Sequence, residues 1–552
     1  MTSSVLLDIG SDSSQNFLRA WQAWRADPQR ARMLHVVAIG AGKYSNQTDD
    51  AALKPLAEQL GVQLWGLLPG FHRLVFEGGQ VLLTLCMGDV EKVLRQHQFQ
   101  ADSIYLNSQQ LEDANVLYIA KAIARLCKPG TLLTMPNNTA MQTALTQCGF
   151  VVESAGDELK ATYNPAWHTK SRHQPTAPST CVVVGAGLAG TAVASSLARR
   201  GWAVTVLDAA CQHASGASGL PAGLLVPHTS PDDSPLSRLT RAGVRITLQQ
   251  CRALLRHGTD WGHTGVLQRS LGEDAAQLPP TWAYSQLSAA SDWCYPASER
   301  TLTAAGLSAS SPALWHAQAG WVKPTSLVNA WLASPGITWR GGLQVTQLTR
   351  GNDGWQLRDA SGDLLAEADL VVLAAGYASR ALLSSTGAAA PDLQAIRGQV
   401  TFGLQKDSDA LPPFAVNGHG GLISGITTHD GPMWLMGAGY ERDVTEPLIK
   451  AQDHAGNLVR LQTLLPHIAP VLAEQFSPAH ARGWAGIRCA TPNRLPLVNC
   501  AADAGAGLWL CIGMGSRGLS FAALCGELLA AHLHGEPLPV DSQLANALGR
   551  AG

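Results

Sequence analysis

The sequence predicts an α/β protein made of two fused halves, each opening on its own strand-turn-helix unit. Three observations predict it. Apolar strand-like runs alternate with helical patterns from Val5 to Tyr163; the polar stretch PAWHTKSRHQPTAPST at 165–180 carries three prolines and no apolar period; and a second strand-turn-helix unit opens at Cys181. The expected organisation is an α/β domain at 1–164, a linker at 165–180 and a larger domain at 181–548. A chain of 552 residues has room for two to four domains at roughly 100–200 residues each.

In the first half the runs VLLDIG, LHVVAIG, QVLLTLCMGD, SIYLN, GTLLTM and GFVVES read as strands. Stretches such as NFLRAWQAWRA and VLYIAKAIARLC between them carry helical spacing. In the second half, CVVVGAGLAGTAVASSLARRGWAVTVLD (181–208) is a strand, a glycine turn at Gly185, Gly187 and Gly190, a helix to about Arg200, and a second strand ending in Asp208. Each glycine has its own role: a tight turn, room for a pyrophosphate, and close helix-to-strand packing. The helix N-terminus turns its N–H groups to the phosphates, and Asp208, 18 residues past Gly190, is placed to hold a ribose hydroxyl. This order of elements predicts a bound dinucleotide; the structural alternative is a glycine-rich turn that binds nothing.

Three later segments favour FAD over NAD. LVVLAAG (370–376) is a buried strand ending in Gly376, and HASGASGLPAGLLVP (213–227) is a small-residue loop in which Gly216, Ala217 and Ser218 let backbone lie against a flavin. GMGSRGLSFAALCGELLAAHLHG (513–535) is a glycine turn with Gly515 and Gly518 followed by an apolar helix, whose positive end would face the flavin ring.

Composition narrows the remaining classes. Apolar residues are 46% and charged residues 14%, with 55 glycines and 30 prolines, a globular and loop-rich profile. The formal net charge of −2 leaves any RNA contact to a local patch, for which Lys170, Arg172, Arg199 and Arg200 are the candidates beside a solvated linker. No apolar run approaches the roughly 20 residues of a membrane span, and no secretory signal opens the chain, so a cytoplasmic address is expected. The 11 cysteines are never spaced C-x-x-C, and Cys489, Cys500 and Cys511 fall 11 apart, so all are expected reduced and structural. Among 17 histidines, His168, His173, His213 and His228 fall in loops, which favours solvation over metal binding, and no metal is expected. Trp21 and Trp24 form a helix stripe. Trp261, Trp282, Trp293, Trp315, Trp321, Trp331 and Trp339 crowd the middle third, as core or as a surface for a substrate base.

These segments together resemble the D-amino-acid-oxidase-like flavoproteins. Within them GASGLPAGLLVP, AIRGQVTF, GAGYERDVTEPLIKAQDHAGNLVRL, WAGIRCATPNRLPLVN and GMGSRGLSFAALCGELLA resemble blocks of the bacterial bifunctional tRNA 5-methylaminomethyl-2-thiouridine biosynthesis proteins. That resemblance implies an FAD domain with an inserted mixed-sheet substrate domain. The implied reaction removes the carboxymethyl group from carboxymethylaminomethyl wobble uridine in tRNA as glyoxylate. Arg488 in WAGIR and Arg517 in GSRG match arginines that grip a substrate carboxylate. Two positions depart from the pattern: Leu220 replaces an asparagine near the flavin, and Leu422 replaces an aromatic expected in the pocket wall.

The first half resembles the same family's Rossmann-like methyltransferase domain in LHVVAIG, LLPGFHRL, LTLCMGD and KPGTLLTM, with its sites altered. Asp8 to Phe17 occupy the glycine-rich loop, with Asp12 and Ser14 in place of glycines; Gly40 replaces the ribose acid; Asn107 to Leu111 replace the loop of the catalytic aspartate; Gly88 and Asp89 persist as an adenine-side motif. S-adenosylmethionine binding and methyl transfer are therefore not expected. Two other readings stay open: an oxidase of free glycine-like secondary amines, and a tRNA-binding protein whose flavin is only structural. Oligomeric state is not legible.

Overall fold

The computed structural model describes residues 3–10, 14–40, 44–107, 115–155, 157–167, 175–271, 277–283, 289–406 and 411–550. Asp12, Ser108 to Leu111, His168, Lys170, Arg172 and His173 lie outside the described residues. The chain divides into two compact units, Met1–Pro178 with Ala530–Asn546, and Ser179–Leu529 with Ala547–Gly552.

The first unit is built on an eight-stranded sheet. Its parallel centre runs Val81–Met87, Met33–Gly40, Ser3–Ile9, Ala101–Leu106 and Cys127–Pro136. Gly70–Phe76 adds antiparallel at one edge, and Glu158–Tyr163 with Phe150–Ala155 at the other. Central strands buried on both faces have to read as nearly continuous apolar runs, which is why they stand out in the sequence. The strands at Gly70–Phe76 and Glu158–Tyr163 do not stand out, because the first carries His72 and Arg73 and the second alternates polar and apolar. Two apolar layers cover the sheet, one around Ile9, Ile104 and Ile123 and the other around Phe17, Trp21 and Phe76. The helix Gln15–Ala26 buries Phe17, Leu18, Trp21 and Trp24 in the second layer. The terminal segment joins this core too: Arg73 donates to Pro537 O at 2.6 Å, and His35 Nε2 stands 3.4 Å from the Glu536 carboxylate, with both side chains buried.

The second unit places a six-stranded sheet beside a nine-stranded one. In the first the order is Ile337–Arg340, Ala203–Leu207, Thr180–Val184, Leu370–Leu373, Leu508–Ile512 and Leu497–Cys500, parallel except for the last. The nine-stranded sheet is mixed; its longest member, Gln394–Leu404, pairs antiparallel with both Gly431–Gly437 and Arg482–Ala490. The helix Leu188–Arg199 lies in this second unit, as does the helix Gly518–His534 up to Leu529.

Two expectations are corrected here, at Arg199 with Arg200 and at Leu422. Arg199 and Arg200 are not a free basic patch: both pair with Glu527, Arg200 at 3.1 Å, while Ser196 Oγ donates to the same carboxylate at 2.5 Å. Arg200 and Glu527 are buried, so a position two basic residues long in sequence is an internal clamp in three dimensions. The middle-third tryptophans are core: Trp261, Trp282, Trp293, Trp321 and Trp331 are buried, and Trp315 and Trp339 partly so. Asp89 serves as the N-cap of the helix Val90–Arg95, accepting from Lys92 N at 2.9 Å. Leu422 is fully buried among Trp434, Met436 and Phe476, on the face of its strand away from Gly421 and Ile423. Strand alternation decides this, since neighbours along a strand point to opposite faces.

Burial alone would raise the Glu527 carboxyl, but Arg200 and Arg199 outweigh it and hold the group well below the usual carboxylate range. The stability it contributes is present above the ordinary glutamate pKa and is lost as pH falls below it. Glu527→Gln should therefore cost about 3–5 kcal/mol at neutral pH by removing the carboxylate that both arginines share, measured by urea unfolding. The gap between variant and parent should narrow in acid; a neutral variant at pH 7 would contradict the clamp.

Candidate active site

A cavity of about 1820 Å³ opens in the second unit, larger than the roughly 300–1,000 Å³ of an ordinary small-ligand cleft. Of the residues expected to hold cofactor and substrate, Gly185, Gly187, Asp208, Gly216, Ala217, Ser218, Gly376, Arg488, Gly515, Arg517 and Gly518 all line it. Gly190 lies beneath.

The three turn glycines differ in what surrounds them. Gly185 has φ +112°, a conformation that side chains resist, and a Cβ there would stand 2.6 Å from Ala374 O. At Gly190 a Cβ would stand 1.9 Å from Gly185 O, so helix and strand meet backbone to backbone. Gly187 is open: its nearest obstacle is the Ser218 hydroxyl at 3.0 Å. The first and third glycines thus make the turn, and the second leaves space on the cavity side. Gly216 has nothing within 4 Å of its missing Cβ, and Gly376 and Gly515 take φ of +57° and +56°. Ser218 Oγ accepts from Leu188 N at 2.9 Å, capping the helix start beside this space. Asp208 accepts from Ala186 N at 2.7 Å and from Ala210 N at 2.9 Å, one bond to each oxygen. Its carboxylate therefore fixes the glycine turn while retaining lone pairs toward the cavity, enough to accept from ribose hydroxyls.

On the other side stand the arginines. Arg488 lies on the strand Arg482–Ala490, opposite Ile396, and its guanidinium crosses Gly398 so closely that a Cβ there would be 2.2 Å from Nη2. Its Nη1 donates to Gly439 O at 3.4 Å. Arg517 sits in the turn before the helix Gly518–His534. Burial lowers the pKa of both, with Arg494 lowering Arg517 further, and neither has a carboxylate partner among the described residues. Half-buried cations without counter-charge favour an anion between them. Sequence reasoning missed His228, Tyr440 and Trp484, which also line the cavity. His228 is not a solvated loop histidine: it is half-buried, and burial and then Arg517 lower its pKa. Trp484, the next strand position but three before Arg488, folds over Gly486, where a Cβ would meet its ring at 2.4 Å. Tyr440 and Trp484 fall inside the motif blocks GAGYERD and WAGIR, so only their direction was missing from the sequence.

In the first unit the ladder between Ser3–Ile9 and Ala101–Leu106 continues one residue beyond both strands. Asn107 N donates to Ile9 O at 2.9 Å, and a Cβ at Gly10 would be 2.8 Å from Asn107 O. Asp8 is buried, accepts from Asn16 Nδ2 at 3.1 Å, and burial pushes its carboxyl up to about 6 against that bond. Ser14 is buried with its backbone N–H on Ser45 O.

Residues 180–532 match the FAD dependent oxidoreductase family, and residues 51–157 match the S-adenosyl-L-methionine-dependent methyltransferase family. Glycine oxidase from Geobacillus kaustophilus shares the fold, with TM-score 0.53 at 21% identity over 65% of this chain and 96% of that one. So does Amadoriase I from Aspergillus fumigatus, with TM-score 0.51 at 18% identity over 66% and 88%. The second unit is an FAD-dependent oxidoreductase, and the open face at Gly187, the capped helix start and Asp208 fit that cofactor. Gly187→Val should fold yet purify without flavin, because the side chain enters cofactor space, whereas Gly190→Val should fail to fold. Flavin absorbance and circular dichroism separate the two; full flavin retention in Gly187→Val would sink the assignment.

The protein of Polaromonas naphthalenivorans (strain CJ2) named tRNA 5-methylaminomethyl-2-thiouridine biosynthesis bifunctional protein MnmC is 52% identical over 98% of this chain and 89% of its own length. The protein of the same name from Cupriavidus necator is 35% identical over 99% and 89%. Two halves in the same order, matched along nearly their whole length, place the chain in the family of bifunctional tRNA 5-methylaminomethyl-2-thiouridine biosynthesis proteins.

Proposed function

We propose that the second unit oxidises the carboxymethylaminomethyl side chain of wobble uridine in tRNA, giving the aminomethyl group and glyoxylate. The observation that carries this reading is the pair of half-buried arginines, Arg488 and Arg517, without carboxylate partners among the described residues and on the wall of the FAD cavity. The group removed is a glycine joined through its nitrogen, so its carboxylate is the handle. Arg488 and Arg517 bind that carboxylate and orient the adjoining CH₂, positioning it without any side-chain nucleophile. Bound FAD supplies the hydride acceptor. Loss of hydride from the CH₂ leaves a C=N bond to the uridine side chain, and addition of water splits it into amine and glyoxylate. The wall around the arginines, with Trp484 and Ile487, limits water while the CH₂ is held. No helix among the described residues is long and apolar enough to cross a membrane.

The first unit is proposed to contribute no methyl transfer, on Ser14 and Gly40 at positions where the family's loop glycine and ribose acid are expected, and on Asn107 at the start of the loop where the catalytic aspartate is expected. Calorimetry should show no saturable S-adenosylmethionine binding by the intact protein. A stoichiometric, micromolar isotherm would overturn this.

Arg488→Ala should retain flavin and lose kcat/KM by on the order of 2 to 5 kcal/mol, the cost of removing one partner of a buried charged hydrogen bond. Turnover is followed as glyoxylate released from tRNA carrying carboxymethylaminomethyl uridine. Wild-type turnover in the variant would move the carboxylate site elsewhere. Nucleoside mass spectrometry of tRNA from cells lacking the gene tests the substrate itself: accumulation of carboxymethylaminomethyl uridine is expected, and unchanged tRNA favours a free secondary amine as substrate.

A further inference from the structure

The mouth of the cavity carries an aromatic side chain that no step above uses. Tyr440 follows the strand Gly431–Gly437 and lines the cavity, yet 53% of it is exposed. Two guanidiniums attend it, Arg442 at 5.9 Å from the ring centroid and Arg488 at 6.0 Å. Both distances lie at the outer limit of cation–π contact, so the cations stand near the ring without covering it. Arg517 and Arg494 add positive charge nearby. Farther along the same segment Leu448 and Ile449 are 60% and 56% exposed.

A floppy loop with this composition would mean little; this one is fixed. Arg397, buried in the strand Gln394–Leu404, donates from Nε to Leu448 O at 2.9 Å and from Nη1 to Asp453 at 2.7 Å and Glu441 at 3.1 Å. Gln399 closes the far end, accepting from Lys450 N at 2.8 Å and donating to Lys450 O at 2.9 Å. Lys450 Nζ also holds Glu441, at 2.8 Å, so that acid is neutralised on the protein side. The remaining acids of the segment are Asp443, which Gln394 approaches at 3.4 Å, and Glu446. Tyr440 and Arg442 flank the neutralised Glu441, presenting an aromatic face and a cation from a rigid rim.

An exposed ring beside cations with no carboxylate partner among the described residues is the chemistry that takes single-stranded nucleic acid: a base stacks on the ring and its phosphate meets the guanidinium. We propose that Tyr440 and Arg442 form a stacking platform at the cavity mouth for one nucleotide of a single-stranded RNA loop, the base on Tyr440 and the phosphate at Arg442. This rests on the tRNA reading above and adds to it how a nucleotide's side chain is delivered while the nucleotide itself stays outside. It also supplies a basis for preferring RNA to a free amine, because a small amine has neither a base to stack on Tyr440 nor a phosphate for Arg442.

The test uses the FAD-loaded full chain and an anticodon stem-loop RNA, titrated by fluorescence anisotropy, with flavin content checked for each variant. Tyr440→Ala should weaken RNA binding by about 5- to 150-fold, the range of one base–aromatic stack, and Tyr440→Phe and Tyr440→Trp should bind like the parent. With modified tRNA as substrate the loss in Tyr440→Ala should fall on KM. Arg442→Gln, at an exposed position that leaves the fold intact, should reduce the slope of log affinity against log salt by about 0.7, one phosphate contact. Parent-like affinity in Tyr440→Ala, or an unchanged salt slope in Arg442→Gln, overturns the platform while leaving the tRNA reading standing. A parent enzyme that neither binds the stem-loop nor converts the modified tRNA overturns both.

Discussion

The backbone contact between Gly190 and Gly185 is the constraint on which the oxidoreductase unit depends. Only with no Cβ at Gly190 can the helix Leu188–Arg199 reach the carbonyl of Gly185, and only at that distance does its first turn open on the cavity. The other holdings of this helix refine a position already set. Asp208 ties the turn from the next strand, Ser218 caps the helix start, and Glu527 grips Arg199 and Arg200 at its far end. A helix fixed at both ends keeps its positive pole aimed at one place, and this is what a pyrophosphate site requires.

Arginine serves three purposes in this unit, and the surrounding charge decides which. Beside Glu527 two arginines are structural, since their acid is buried with them. Beside Asp453 and Glu441 a third, Arg397, pins a loop. Arg488 and Arg517 have no carboxylate partner among the described residues, and that electrostatic imbalance is what supports the proposal that they receive an anion from outside. Residue type alone distinguishes none of these cases. An arginine acquires its role from whether the fold brings it a carboxylate.

This also explains what was legible beforehand. The strand, turn, helix and acid at 181–208 are local in sequence, so their spacing carried the dinucleotide site without tertiary knowledge. That Arg488 and Arg517 share the cavity wall was signalled only by the resemblance of two short motifs, WAGIR and GSRG. Arg199 and Arg200 misled because their partner lies more than 300 residues away, and local charge counting has no access to it. Leu422 misled by one step of strand alternation, the smallest error that exchanges cavity for core. Tyr440 lay in plain view within a motif block, but exposure is a property of the folded rim and of the buried Arg397 beneath it, not of the segment's composition.

The first unit is discontinuous in sequence: its core near His35 and Arg73 is completed by Glu536 and Pro537, near the end of the chain. On the ribosome the N-terminal strands therefore emerge first and close last. Synthesis of the intervening stretch of about 350 residues at roughly 5–20 residues per second leaves that polar core unfilled for roughly 20–70 seconds. Throughout that interval the nascent chain carries a nearly finished sheet whose last polar contacts are still unsynthesised.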